Sequence, residues 1–273
     1  MKRVATAIEQ NSAVPPDPWV ELRRLTPARI ALGRTGVSLP TSEVLRFAQA
    51  HALARDAVQL PLDTPTLATE LAAHGWRDVL VLDSQVRDRQ QYLLRPDQGR
   101  RLSAAGCARL VELAATTRPP DLLLLVGDGL STLGIQQHSA ALLDAIRAAL
   151  DPQLRLGPLV VLRHARVALA DEVGELLGAG MTAMLIGERP GLSSPDSVGI
   201  YLTHTPKVGN TDAQRNCISN IRPAGQDFAS AARRLAWLVN EGRRLGVTGV
   251  TLKDHSGLAS ALEQAVAPPA ARL

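Results

Sequence analysis

The chain has 273 residues, 45% of them hydrophobic, but only three Trp, two Tyr and two Phe, and a formal charge of +4. This length predicts one large domain, or one with a small appendage, whose core is filled by Leu, Val, Ile and Ala. The apolar runs are short, such as Leu122 to Val126 and Ala183 to Ile186, and fall far below the roughly 20 residues of a membrane-spanning helix. Positive charge is scattered as single Arg and Arg-Arg pairs, not as the basic stripe with stacking aromatics that nucleic-acid binding uses. No membrane or nucleic-acid partner is therefore expected. Glu9, Gln10 and Asn11 interrupt the start of the chain before any apolar stretch that could serve as a secretory signal. Cys107 and Cys217 lie far apart and outside any CxxC pair, which suits a reducing compartment without a disulfide framework. Residence in the cytoplasm is the expectation.

In chain order, residues 1–17 are polar and lead into Pro15, Pro16 and Pro18, reading as a flexible arm. A helix is predicted from Pro18 or Trp19 to about Leu25. A second begins after Pro40, with Thr41 or Ser42 as N-cap and Val44, Leu45, Ala48 and Leu53 near one face. A third follows Pro65, carries Leu67, Leu71 and Ala72, and stops near Gly75. Residues 1–76 thus read as a small helical N-terminal domain.

Beyond it the rhythm changes, and 77–273 read as a second domain. Buried strands are predicted at 78–82, 121–126, 159–162, 181–186, 197–203 and 247–252. Helices are predicted at 97–117, 138–150, 172–177 and 228–245. Strands alternating with helices specify α/β architecture, a doubly wound, mainly parallel, Rossmann-like sheet covered on both faces.

Open parallel sheets bind ligands beyond the carboxyl ends of their strands. Two loops there are glycine-rich, Gly127-Asp128-Gly129-Leu130-Ser131-Thr132 and Gly187-Glu188-Arg189-Pro190-Gly191. Either could be an ordinary tight turn, since turns want Gly and an N-cap Ser or Asp; two on one sheet edge point to a ligand crevice. A nucleotide fingerprint is a rival, but the third glycine of GxGxxG falls on Thr132, and no GxxxxGK[ST] is present. The six histidines (His51, His74, His138, His164, His204, His255) form neither HExxH nor an i, i+4 pair, and there is no GxSxG. Cys217, between Asn216 and Ile218 and close to Arg215, reads either as an activated thiol or as simple packing. No metal site and no catalytic residue emerge. A nucleotide-binding enzyme with its crevice at Gly127–Thr132 and a ligand-free interaction domain both stay open on this reading.

Six ordered blocks add a resemblance. They are 22–29 with Gly33-Arg34, Tyr92 to Leu102, Asp128 to Thr132, Arg166-Val167 with Asp171 to Ala179, Ile186 to Leu192, and Cys217 to Ile221. Together they resemble the small (light) subunit of ethanolamine ammonia-lyase. The resemblance implies a large catalytic subunit bearing a TIM barrel, with adenosylcobalamin held between the two chains. It implies a radical lyase reaction that turns ethanolamine into acetaldehyde and ammonia, started by homolysis of the cobalt–carbon bond. By the same resemblance Val167, Glu188 and Cys217 face the corrin: Val167 with apolar surface, Glu188 as acceptor for amide N–H groups, Cys217 in van der Waals contact. The D-x-H-x-x-G sequence that replaces the cofactor's own base in many B12 proteins is missing, since His255 follows Asp254 directly. The cofactor is therefore expected base-on. The resemblance further implies six large and six small subunits. The short arm carries little apolar periodicity, which leaves enclosure in a bacterial microcompartment open.

Overall fold

A computed structural model describes residues 19–77 and 79–257; the expected arm at 1–17 and the predicted first strand residue, Asp78, lie outside them. Six strands form one sheet: β1 (Val79–Asp83), β2 (Leu122–Gly127), β3 (Leu159–Arg163), β4 (Met181–Gly187), β5 (Val198–His204) and β6 (Arg215–Ile221). Their order across the sheet is β1-β3-β2-β4-β5-β6. The first four are parallel, whereas β5 runs antiparallel to β4 and β6 antiparallel to β5. The helices are α1 (Thr41–Gln59), α2 (Thr64–Ala73), α3 (Arg89–Leu94), α4 (Ala104–Thr116), α5 (Thr132–Ala149), α6 (Leu169–Leu176) and α7 (Phe228–Leu245). The chain is thus mixed α/β with a mainly parallel sheet, as the apolar runs predict.

Alternate residues of β2 feed two separate cores. Leu122, Leu124 and Val126 join Ile135, Leu142 and Leu143 of α5 and Leu235, Leu238 and Val239 of α7 on one face. Leu123 and Leu125 join Leu110 of α4 and Leu169 and Val173 of α6 on the other. Burial on both sides explains why β2 is an unbroken apolar run rather than an alternating one. Leu62, Leu67 and Leu71, at and before α2, belong to the first of these cores.

Several boundaries differ from the sequence-based expectation. The helix expected at 97–117 is shorter, since Ser103 caps α4 by accepting a hydrogen bond from the Gly106 amide. α3 precedes it, capped by Asp88. α5 begins at Thr132 rather than 138 because Ser131 accepts from the Gly134 amide. α6 starts at Leu169 rather than 172. At 19–25 the helix is a short 3₁₀ turn, Val20–Arg24. The expected strand at 247–252 is also a 3₁₀ turn, Gly249–Thr251, because Gly249 sits at φ 80° against the main chain of Ala213 and Gln214. Conversely, 215–221, polar by composition, is the edge strand β6. On α1 the face expected to be buried is open: Val44, Leu45 and Leu53 are all exposed, and only Glu43 and Ala57 are buried.

Candidate functional site

β2 and β3 are neighbours, yet the chain leaves β2 for α5 on one face and β3 for α6 on the other. Such divergence opens a crevice at the carboxyl edge of a sheet. A cavity of 430 Å³ lies there, lined by Gly129 and Leu130 after β2, Arg166 and Val167 after β3, and Ile186 to Arg189 at the end of β4, with Tyr92 and Tyr201 at its sides.

The loops around the cavity are locked by a buried charge cluster. Asp128, 1% exposed, accepts hydrogen bonds from the amides of His164 and Ala165, both at 2.8 Å. Those bonds hold His164 at φ 55°, a left-handed conformation uncommon outside glycine. Arg89 approaches the same carboxylate at 3.6 Å and donates to the Gly129 carbonyl at 2.8 Å. Burial pushes the Asp128 carboxyl up, opposed first by the Arg89 charge and then by the two amides. The guanidinium carbons of Arg89 and Arg166 both lie over the Tyr92 ring, at 4.6 and 4.2 Å from its centroid. Tyr92 in turn donates from its hydroxyl to the Ala165 carbonyl at 3.0 Å.

The glycines have a packing reason. A methyl group at Gly187 would collide with the carbonyl oxygens of Ser131 and Asp128, and one at Gly129 with the Gly187 carbonyl. These loops are pressed against each other, so the close approach that glycine permits is spent inside the protein. That arrangement argues against a phosphate cradle at Gly127–Thr132.

Val167 and Glu188 therefore line one cavity from two different strand exits. The Glu188 carboxylate accepts from the Asn220 amide at 3.0 Å through Oε2, and its Oε1 lies over Gly199, where a side chain would crowd it. Cys217 is not in the cavity wall but on the next strand, directly opposite Tyr201. Tyr201 and Cys217 are thus side-by-side partners across the two strands. Partial desolvation, aided by the Glu188 charge, pushes the Cys217 thiol up, so this cysteine stays protonated and is a poor nucleophile. Gly199, Tyr201 and Cys217 share the sheet face that lacks a covering helix beyond β4: the second core reaches Met184 and Ile186, takes in Tyr201 at its margin, and includes no residue of β6. Arg89, Tyr92, Asp128, Arg166 and Tyr201 were not singled out individually from sequence. A charged residue directly after the fully apolar β2 was the one available signal, for Asp128; Tyr201 gave none.

Among the described residues no group of three or more His, Cys, Asp or Glu is placed to hold a metal ion, and no helix is long and apolar enough to cross a membrane.

Fold and site define an α/β protein with a shallow crevice at the carboxyl edge of its sheet, continued by a bare strip of strand surface. The model of the ethanolamine ammonia-lyase light chain family (EutC) matches residues 16–253, and the chain belongs to that family. It is 53% identical to the ethanolamine ammonia-lyase small subunit of Pseudomonas putida (strain GB-1), over 91% of this chain and 92% of that protein. The small subunit of Pseudomonas syringae pv. tomato is 50% identical over 91% and 87%, and that of Azotobacter vinelandii 51% identical over 92% and 94%. A small subunit implies a large-subunit partner.

Proposed function

We propose that this chain forms one wall of an adenosylcobalamin site whose other wall belongs to a large ethanolamine ammonia-lyase subunit, and that the assembled enzyme converts ethanolamine to acetaldehyde and ammonia. The observation that carries the reading is the continuity of the cavity, lined by Val167, Glu188 and Tyr201, with the open strand surface at Cys217 opposite Tyr201. That surface suits a flat macrocycle with polar fringes. Val167 offers apolar area, and Glu188 Oε1, which rests over the buried Gly199, is an acceptor for an amide N–H. Cys217, kept neutral, gives a soft contact without competing for the metal.

When bound, adenosylcobalamin supplies a carbon-centred radical that takes hydrogen from the substrate. This chain positions and shields, a division of labour usual for cofactor enzymes. The main chain at Gly187 and the Asp128 cluster fix the crevice in advance, so little ordering cost falls on binding. Among the described residues no histidine lines the cavity, and His164, on the β3 exit loop, has Nδ1 3.6 Å from Asp128; a base-on cofactor is part of the same reading. The electron paramagnetic resonance spectrum of the bound Co(II) form checks this: splitting sensitive to ¹⁵N-labelled protein histidine would reverse it. An assembly of six large and six small subunits in the cytoplasm belongs to the same proposal, with light scattering of the complex as its check; enclosure in a microcompartment is not part of it.

The deciding experiment titrates adenosylcobalamin into the two-subunit complex and follows visible absorbance. Tight binding by the complex, weaker binding by either chain alone, and a loss of roughly tenfold for Glu188→Ala (one charged hydrogen bond) support the reading. Equal binding by the large subunit alone would remove this chain from the site.

A further inference from the structure

A second cavity, of 630 Å³, adjoins the first and shares Arg166 and Val167 with it; Arg100, Arg101 and Arg215 also line it, as do Asp97, paired with Arg95 at 2.7 Å, and Asp212, 3.4 Å from Arg215. Two of these four arginines are neutralised. Arg215 forms two 2.7 Å hydrogen bonds to Asp171, and Arg101 pairs with both oxygens of Glu172 at 2.8 and 3.2 Å. Arg166 differs. Among the described residues it meets no carboxylate. Its Nη2 donates to the Tyr92 carbonyl at 3.2 Å, its Nε is buried without an acceptor, and its plane lies over the Tyr92 ring. A guanidinium stacked, held in place and left without an anion is unusual, because buried donors are ordinarily satisfied. Arg100, exposed at the same rim, adds a second cation within the cavity wall.

The geometry points to an anion subsite at the junction of the two cavities, with Arg166 as its principal ligand and Arg100 as an outer one. The anion it fits is a phosphodiester, whose paired oxygens match the planar fork of a guanidinium. Taken with the proposed function, on which this rests, the phosphodiester is that of the cofactor's nucleotide tail, which would leave the corrin in the first cavity and enter the second past Val167. Arg166 is thus a positioning residue for the tail and takes no part in the chemistry.

The test compares adenosylcobalamin with adenosylcobinamide, which keeps corrin and adenosyl group but lacks the nucleotide and its phosphate. Equilibrium titrations use the complex of this chain with its large subunit, as wild type, R166Q, R166K and R100Q. R166Q is expected to weaken adenosylcobalamin binding at least tenfold while changing adenosylcobinamide binding less than twofold. R166K, which keeps charge but not the fork, is expected to lose about threefold, and R100Q about twofold, again for the nucleotide-bearing form alone. The ³¹P resonance of bound adenosylcobalamin is expected to move between wild type and R166K; this holds even if R166Q does not assemble. Equal losses for both corrinoids, or an unmoved ³¹P line in R166K, would overturn the subsite and leave the cobalamin reading intact. Failure of the wild-type complex to bind either corrinoid would overturn both.

Discussion

The two halves of the sheet are built on different terms. The parallel half, β1, β3, β2 and β4, is sealed on both faces, by α5 and α7 on one side and by α4 and α6 on the other. The antiparallel half, β5 and β6, buries Val198, Ile200, Leu202 and Ile218 beneath α7 but leaves Cys217 exposed and Tyr201 half-buried on its other face. Where a sheet is a scaffold, both faces are consumed by packing; where it is to meet a ligand or another chain, one face is withheld from the fold. The candidate site straddles that seam.

One bolt crosses the seam, and breaking it should have the largest effect. Arg215 on β6 and Asp171 on α6 form a buried, doubly hydrogen-bonded pair. Asp171→Ala strands the guanidinium and should cost about 3–5 kcal/mol, measured by denaturant unfolding. The double variant Asp171→Ala with Arg215→Met should recover most of that loss, because the orphaned charge goes with its partner. If the single variant unfolds like wild type, the two halves are not coupled through this pair.

Next in size is the pressed-together edge of the parallel half. Gly187→Ala drives a methyl into the carbonyls of Ser131 and Asp128 and should cost roughly 3 kcal/mol, with a several-degree drop in melting temperature. By contrast, Gly209→Ala, at φ 101° with open space around it, carries only backbone strain, about 1–2 kcal/mol. Ser131→Ala is smaller still. It removes the α5 cap and leaves the Pro195 carbonyl without its 2.6 Å donor, a loss of about 1 kcal/mol in the same measurement.

The smallest expected effect probes the bare strip. Because desolvation and the Glu188 charge raise the Cys217 thiol, its alkylation by iodoacetamide should be slower than that of a free cysteine. The pH midpoint of the rate should lie above the ordinary thiol value of about 8.5. The sign for Glu188→Gln follows directly: removing a negative neighbour favours the thiolate, so labelling at fixed pH should quicken by roughly twofold. A slower rate in that variant would mean the carboxylate acts by ordering the strip, not by its field.

Much of the scaffold was legible because strands buried on both faces announce themselves as apolar runs and helices as 3.6-residue periodicity. Leu122 to Val126 and the long face of α7 are read correctly for that reason. β6 was missed because an edge strand with one open face needs few apolar residues, and only Ile218 and Ile221 carry its packing. Residues 247–252 misled for the opposite reason, since Val247, Val250 and Leu252 look like a strand, yet a left-handed glycine turns the chain. Of the site, the loop glycines were visible, as was the place of Val167 and Glu188 at two strand exits, after β3 and after β4. The clasp of Arg89 on Asp128, the two arginines over Tyr92 and the register that sets Cys217 opposite Tyr201 were not. Apart from Arg89 and Tyr92, one helical turn apart, the partners are 16 to 74 residues from each other, and local periodicity is blind to such pairs.

α1 and its surroundings carry a consequence of another kind. Eleven of the seventeen exposed large hydrophobics among the described residues, from Trp19 to Leu60, fall in one stretch of the chain. A polypeptide released from the ribosome with that stretch uncovered is prone to clump with copies of itself. Purified alone, the chain should therefore lose material to self-association, a loss that grows with protein concentration rather than with any weakness in its core.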